Sequence, residues 1–209
     1  MTACLILYQK RTPQCELLLE QAVDSAVAYC DSVHVLDNTD DKLPYTEARK
    51  ALLSLSNDSV VRFLDYDDYL LGRIPQTSEV MVAGAECNRR AMLSKTVEAG
   101  LFNRTIQTSC VQWDRDVAES VLQHTDRIWE YWSVHEALSQ GCNVEVYPYL
   151  ASVYRSRWSQ VQLTARRQET REHFLKFYHQ VAEHYPDCFT RDVALYERYA
   201  SYCDFRPSA

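Results

Sequence analysis

Apolar positions along this chain switch between strand-like runs and helix-like spacings. Residues 3–8 form an unbroken apolar run ending at Tyr8, the pattern of a strand buried on both faces. Thr12-Pro13 then makes a helix start, a capping residue with proline at the first helical position. Cys15, Leu18, Leu19, Ala22, Ala26 and Tyr29 follow at helical spacing. Asp31-Ser32 turns the chain into a second strand at 33–36, closed by Asp37. This βαβ opening implies parallel strands joined by a right-handed crossover. Asn38-Thr39-Asp40-Asp41 is a polar loop, Pro44 opens a helix to about residue 55, and a third strand spans 59–64.

The second half is less regular. Residues 79–99 read as one long helix, and 105–111 as a strand. Helices are expected at 114–123 and 126–140, the second stopped by Gly141. Short strands follow at 144–147 and 151–154. From 160 to 202 the spacing is helical, broken near Pro186.

The third strand ends in Asp65-Tyr66-Asp67-Asp68, three carboxylates within four residues. In an extended chain, side chains two apart share a face, so Asp65 and Asp67 are expected to converge. Carboxylates held together repel, and a hard divalent cation between them removes the repulsion. Tyr8, Asp37 and the Asp65 cluster all stand at carboxyl ends of strands. That is where open α/β sheets bind ligands.

Composition narrows the chemistry. The 209 residues suffice for one domain with a real core, and 46% hydrophobic with 24% charged residues is an ordinary globular balance. A net charge of -7 argues against a general nucleic-acid binder. No apolar run is long enough to span a bilayer, and the first nine residues lack the pattern of a signal peptide. The eight cysteines are scattered, with no CxxC pair, which fits reduced core thiols in a cytoplasmic setting. Four isolated glycines exclude both the dinucleotide fingerprint and the Walker loop. An anionic nucleotide bound here needs a metal or selected arginines instead.

Four segments together resemble nucleotide-sugar glycosyltransferases of the GT-A fold, in particular family 2. They are Leu5-Ile6-Leu7-Tyr8-Gln9; Val35-Leu36-Asp37-Asn38-Thr39-Asp40; Glu47-Ala48-Arg49-Lys50 leading to the Asp65-Tyr66-Asp67 DXD motif; and Trp129-Glu130-Tyr131-Trp132 through Gly141 to Val153-Tyr154-Arg155. They cover about the first three quarters of the chain, in the family's order. Between Asp37 and Arg49 the family places a further strand and a longer loop, and here only a short polar stretch remains. In size and in this deletion the chain is also similar to a compact glycosyltransferase domain of large chlorella viruses, which act on capsid glycans. That likeness implies a module of a longer protein.

The resemblance implies a single α/β domain with a central mixed, mostly parallel sheet flanked by helices. Residues 1–70 would form the nucleotide-binding half, 71–158 the donor and acceptor half, and 159–209 a helical tail. It implies Mn²⁺ or Mg²⁺ on Asp67, with Asp65 and Asp68 in the same acidic set. The nucleotide sugar, most readily a UDP-sugar, would meet Tyr8, Gln9, Asp37, Asn38, Arg49, Asp65, Arg155 and Arg157. Glu130 would be the base that deprotonates the acceptor hydroxyl of a glycan or glycoprotein, with Asp126 as substitute. A retaining course would not need that base.

Each of these residues also has a plainer role. Asp37 is a natural turn former, Tyr8 can pack at a strand end, and Arg49 can pair with a carboxylate. Glu130 can sit solvated on a helix. Trp113, Trp129, Trp132 and Trp158 are sugar platforms or core, and Gln107, Thr108 and Ser109 are candidates for a donor-sugar pocket. Two other function classes fit the acids, a nucleotidyltransferase and a non-catalytic nucleotide-sugar or glycan-binding module.

Overall fold

The computed structural model describes residues 1–10, 12–87, 90–97, 106–124 and 129–155, with backbone alone at 87, 90, 129–132 and 135. All belong to one compact unit, Met1–Ser156. The expected tail at 159–209 lies outside the described residues, as do Asp126, Arg157 and Trp158.

The βαβ opening forms as its pattern predicts. Strand β1 (Thr2–Tyr8), helix α1 (Gln14–Tyr29), strand β2 (Ser32–Asp37), helix α2 (Tyr45–Ser54) and strand β3 (Val60–Asp65) follow in order. β1 pairs in parallel with β2 on one side and β3 on the other. Pro13 has helical dihedrals, and the Thr12 carbonyl accepts the Cys15 amide at 3.0 Å. The Thr12 hydroxyl lies 3.4 Å from Cys15 Sγ. α1 buries Cys15, Leu18, Ala22 and Ala26. Ala22 and Ala26, four apart, let the helix approach Cys4 and Ile6 of β1 and Leu64 of β3 closely.

The single long helix expected at 79–99 is replaced by strands at 80–87 and 90–92. Val80–Cys87 is strand β5 and Arg90–Met92 is strand β6, an antiparallel pair. Val80, Met81, Val82, Ala83 and Ala85 are all buried. A strand covered on both faces has no two-residue alternation, so its sequence cannot be told from a helix by period. Pairing with β7 (Val111–Asp114) and β8 (Val144–Tyr154) decides it. Gly84 is needed where β6 folds back, since a Cβ there would press on the Leu93 side chain and lie 3.0 Å from the Met92 carbonyl.

The strand expected at 105–111 is displaced. Thr108–Cys110 forms a 3-10 turn, and β7 begins only at Val111. Cys110 closes this turn, its amide and thiol both donating to the Gln107 carbonyl, at 3.0 and 2.9 Å. Helices α3 (Arg115–His124) and α4 (Trp129–Ser139) follow. Gly141, at φ +80°, ends α4 in a Schellman motif: Cys142 N–H reaches the Ala137 carbonyl and Gly141 N–H that of Leu138. The two short strands expected after it are one strand, β8. Its register against β5 shifts around Gly84, in the stretch that holds Pro148, where a missing N–H is tolerated.

With β4 (Tyr69–Leu70), the sheet order is β2-β1-β3-β7-β5-β8-β4, and β6 pairs with β5. The sheet is mixed, as expected, but not mostly parallel. β1–β2, β1–β3 and β5–β8 are parallel; β3–β7, β5–β7, β5–β6 and β4–β8 are antiparallel. α2 packs on β1 and β2, and α3 on α2, β3 and β7. Among the described residues no helix is long and apolar enough to cross a membrane.

One polar side chain fastens the two halves of the sheet. Arg62, in the middle of β3, is 1% exposed. Its Nε and Nη2 donate to the Ser109 carbonyl at 2.9 and 2.7 Å. Nη2 also donates to the Ala151 carbonyl at 2.7 Å, and Nη1 to the Gly72 carbonyl at 3.0 Å. Burial lowers the Arg62 pKa, while the nearby thiols Cys30, Cys4 and Cys110 oppose that shift. Truncating Arg62 strands three carbonyls together. We expect Arg62→Met to lose about 3–5 kcal/mol of stability in urea unfolding. Arg62→Lys should not restore it, because one ammonium lacks the fork that reaches three acceptors. A loss below about 1 kcal/mol would refute the clamp.

Candidate functional site

The parallel register brings three strand ends together. Tyr8 lies opposite Asp37, and Leu7 lies opposite Asp65. Backbone bonds extend the alignment past the strands, with Asn38 N–H on the Tyr8 carbonyl at 2.8 Å and Tyr66 N–H on the Leu7 carbonyl at 3.1 Å. Tyr8, Asp37, Asn38 and the Asp65 cluster therefore share one edge of the sheet, as the sequence pattern predicts.

The acids at that edge do not share one arrangement. The strand stops at Asp65, and Asp68 N–H bonds the Asp65 carbonyl at 3.0 Å to close a turn. The two-residue alternation expected to align Asp65 with Asp67 therefore ends at Asp65. Asp67 is half-buried within the turn. Asp68 goes inward and is 2% exposed, with Oδ1 accepting the Arg155 amide at 2.9 Å. Burial drives its pKa well above the usual carboxylate value. The Asp65 charge adds to this, and hydrogen bonds from the Arg155 amide and the Ser109 side chain oppose it. Among the described residues, no group of three or more His, Cys, Asp or Glu is placed to hold a metal ion.

Asp65 is oriented by helix α2. Tyr45 and Arg49, one turn apart, face it together. Arg49 is fully buried, and its Nη2 donates to Asp65 Oδ1 and to the Tyr45 hydroxyl, both at 2.5 Å. The guanidinium carbon lies 4.7 Å from the Tyr45 ring centre and 5.2 Å from that of Phe63. An arginine between two rings beside one carboxylate holds that carboxylate firmly. Arg49 here orients Asp65, whose side chain keeps 27% exposure.

Other expected contacts have local duties. Asp37 is exposed, and its Oδ1 accepts the Thr39 amide at 2.9 Å, an Asx turn. Asn38 is buried and pairs with the Leu43 backbone through both amide atoms, at 3.0 and 2.7 Å. This closes the short loop that replaces the longer connection expected of the family, and Lys42 takes a positive φ of 50° within it. Tyr8 is 5% exposed and meets Tyr66 edge-on at 5.5 Å. Its ring is packed rather than presented as an open stacking face. Gln9 is half-buried beside it. Arg155 lies over the Tyr69 ring at 4.6 Å and donates to Gln21 Oε1 at 2.8 Å. Trp113 is fully buried core. Glu130 is the second residue of α4, and its side chain lies outside the described residues.

Sequence reasoning missed Arg62, Tyr45 and the duty of Ser109. Arg62 does carry a signal, a lone charge inside an otherwise apolar strand, which survives burial only with partners.

The sequence matches no protein-family model and no curated protein. Its fold matches solved structures of S. aureus TarS. TarS 1-349 in complex with UDP superposes with a TM-score of 0.54 at 13% identity, covering 74% of this chain and 60% of that one. TarS 1-349 in complex with UDP-GlcNAc gives 0.54 at 13%, covering 80% and 64%. A longer TarS structure gives 0.53 at 15%, covering 74% and 36%. The chain thus spans less than two thirds of TarS 1-349, and at this identity the likeness shows the fold alone. None of these matches links the chain to a chlorella virus.

The geometry makes Asp65 dependent on Arg49. Asp65→Ala should cost about 2–3 kcal/mol in urea unfolding, because it leaves a buried guanidinium without its carboxylate. Adding Arg49→Met should recover part of that loss. Strictly additive losses in the double-mutant cycle would disprove the pairing.

Proposed function

We propose that this domain transfers a sugar from a nucleotide diphosphate donor, most readily a UDP-sugar, to a hydroxyl of a glycan or glycoprotein acceptor. One observation carries the reading. The register sets Tyr8, Asp37 and Asp65 side by side at the strand ends, on a fold shared with a protein crystallised with UDP and with UDP-GlcNAc. We place the domain in the cytoplasm, a setting in which the free thiols Cys4, Cys15, Cys30, Cys110 and Cys142 stay reduced.

Mn²⁺ or Mg²⁺ fits this edge only as part of a ternary site. Asp68 is committed inward to Arg155, and one Asp65 oxygen to Arg49. Asp65 and Asp67 would then supply one or two ligands, leaving the rest of the shell to phosphate and water oxygens, as is common for Mg²⁺. Such an ion would neutralise charge on the departing diphosphate. The chain's own part is to fix where that charge develops, through an Asp65 held rigidly by Arg49 and Tyr45.

In the transfer, the bond from the anomeric carbon to the diphosphate oxygen breaks and a bond to the acceptor oxygen forms. The nucleotide diphosphate leaves with the bonding electrons. The acceptor's proton would go to a base, for which Glu130, the second residue of α4, is the candidate. With such a base the course is inverting, and without one a retaining course stays open.

Calorimetry with UDP and UDP-sugars, with and without Mn²⁺, tests the reading. We expect binding that strengthens with the metal. A folded sample that binds no nucleotide sugar under either condition would sink it. Asp67→Ala should remove the metal-dependent part while the thermal transition stays cooperative. Glu130→Gln should bind donor as the wild type does yet release sugar to acceptor at least about a hundredfold more slowly. Full turnover by that variant would exclude Glu130 as the base.

A further inference from the structure

Two free cysteines of the core, Cys4 and Cys30, meet each other. They share one packed cluster with Ile6, Ala22, Ala26 and Leu64, and the Cys4 thiol donates a hydrogen bond to the Cys30 sulfur. Cys4 lies in β1 and is fully buried. Cys30 follows α1 and is 7% exposed. The backbone around both is fixed. Cys30 N–H bonds the Ala26 carbonyl and Asp31 N–H the Thr2 carbonyl, each at 2.8 Å. Thr2 N–H in turn bonds Asp31 Oδ2 at 2.8 Å.

The other buried thiols among the described residues have oxygen partners. Cys15 Sγ lies 3.4 Å from the Thr12 hydroxyl and 3.5 Å from that of Tyr66. Cys110 donates to the Gln107 carbonyl, and burial pushes its pKa up to about 11. Cys30 shifts the other way. The hydrogen bond from Cys4 lowers its pKa, burial and Asp31 oppose that shift, and Arg62 and Arg73 assist it. The same hydrogen bond, with burial, raises Cys4. Charge explains the asymmetry. Arg62 is a buried cation that forms no ion pair among the described residues, and Asp31 is already paired with Arg73 at 3.6 Å. A thiolate at Cys30 supplies the missing negative charge. Thiolates, not thiols, attack electrophiles, and cationic surroundings favour them. The less buried sulfur is therefore the nucleophile, with a second thiol held against it.

We propose that Cys4 and Cys30 form a peroxide-reactive pair that closes a reversible disulfide between β1 and the end of α1. The Cys30 thiolate attacks one oxygen of a hydroperoxide, and the O–O bond breaks. The departing oxygen takes up a proton and leaves as water or an alcohol, and Cys30 becomes a sulfenic acid. Cys4 then attacks the Cys30 sulfur and gives up its thiol proton, the S–O bond breaks, and water leaves. Two thiols thus lose two electrons to the hydroperoxide and become one disulfide, which an added dithiol reverses by exchange. Cys4 stands in the amino-terminal half of β1, away from the Tyr8 end, so this chemistry is independent of the sugar-transfer reading.

The test treats the folded, reduced 209-residue chain with hydrogen peroxide and blocks the remaining thiols with iodoacetamide. Digestion with trypsin and a glutamate-specific protease separates Cys30 from Cys15, because Glu16 and Glu20 lie between them. We expect a peptide joining Cys4 to Cys30, lighter by two hydrogens than its reduced parts and lost on treatment with dithiothreitol. Cys4→Ser should instead leave a Cys30 sulfenic acid that dimedone captures, and Cys30→Ser should leave position 4 unlabelled. Cys142→Ser, at a half-buried thiol outside the pair, should bridge as the wild type does. A folded wild type that yields no Cys4–Cys30 peptide, or yields it only after unfolding in urea, overturns the proposal. Capture of a Cys4 sulfenic acid in Cys30→Ser overturns the assignment of the nucleophile. The wild-type map decides alone if a serine variant does not fold.

Discussion

The architecture depends on a cation in the middle of a strand. Arg62 sits where the parallel strands β2, β1 and β3 meet β7, which runs antiparallel to β3. It draws in carbonyls from the segment after β4, the turn before β7 and the body of β8. Among the described residues Arg62 forms no ion pair. Its charge is met by peptide dipoles, which have no competing protonation state. Because Ser109 and Ala151 are both its acceptors, the acidic turn is held indirectly by the same guanidinium. Ser109 passes the constraint on to Asp68, and Asp68 passes it to the Arg155 backbone at the end of β8.

The edge of the sheet divides labour among similar residues. Of the three carboxylates in the turn, Asp65 is gripped by an arginine from α2, Asp68 is drawn inward, and Asp67 stays half-buried between them. Three neighbouring acids thus acquire three environments through partners distant in sequence. Arginines are divided in the same way. Arg49 holds a carboxylate, Arg62 holds carbonyls, and Arg155 rests on an aromatic ring. Each of these contacts uses the planar fork of the guanidinium.

Legibility in the sequence followed the kind of signal. The βαβ opening was readable because each element has one clear period and a polar stop, from Pro13 to Asp37. The convergence of Tyr8, Asp37 and Asp65 was readable because parallel strands with short connections leave their carboxyl ends level. Residues 80–87 were misread because a strand covered on both faces shows no alternation. The split of β8 into two strands came from Pro148, which a register shift accommodates. Individual duties at the site were the least legible. Nothing near Asn38 marks it as the partner of Leu43, nothing near Asp68 points to Arg155, and nothing near Arg49 selects Asp65 over a nucleotide. Such duties are set by contacts made only after the chain has folded back on itself.

The place of β8 carries a consequence for the order of assembly. This strand is the last one described in the chain, yet it runs between β5 and β4 and reaches back to the first acidic turn. A growing polypeptide can pair β1 with β2 and β3 early, since those contacts lie close in sequence. It cannot give Arg62 its Ala151 acceptor, 89 residues on, until β8 has been made. Closing so long a loop is slow compared with local pairing. This edge of the sheet therefore passes through a stage in which its strands are aligned but its clamp is open. In that stage Arg62 still lacks an acceptor, and the incomplete sheet is most exposed to chaperones and proteases.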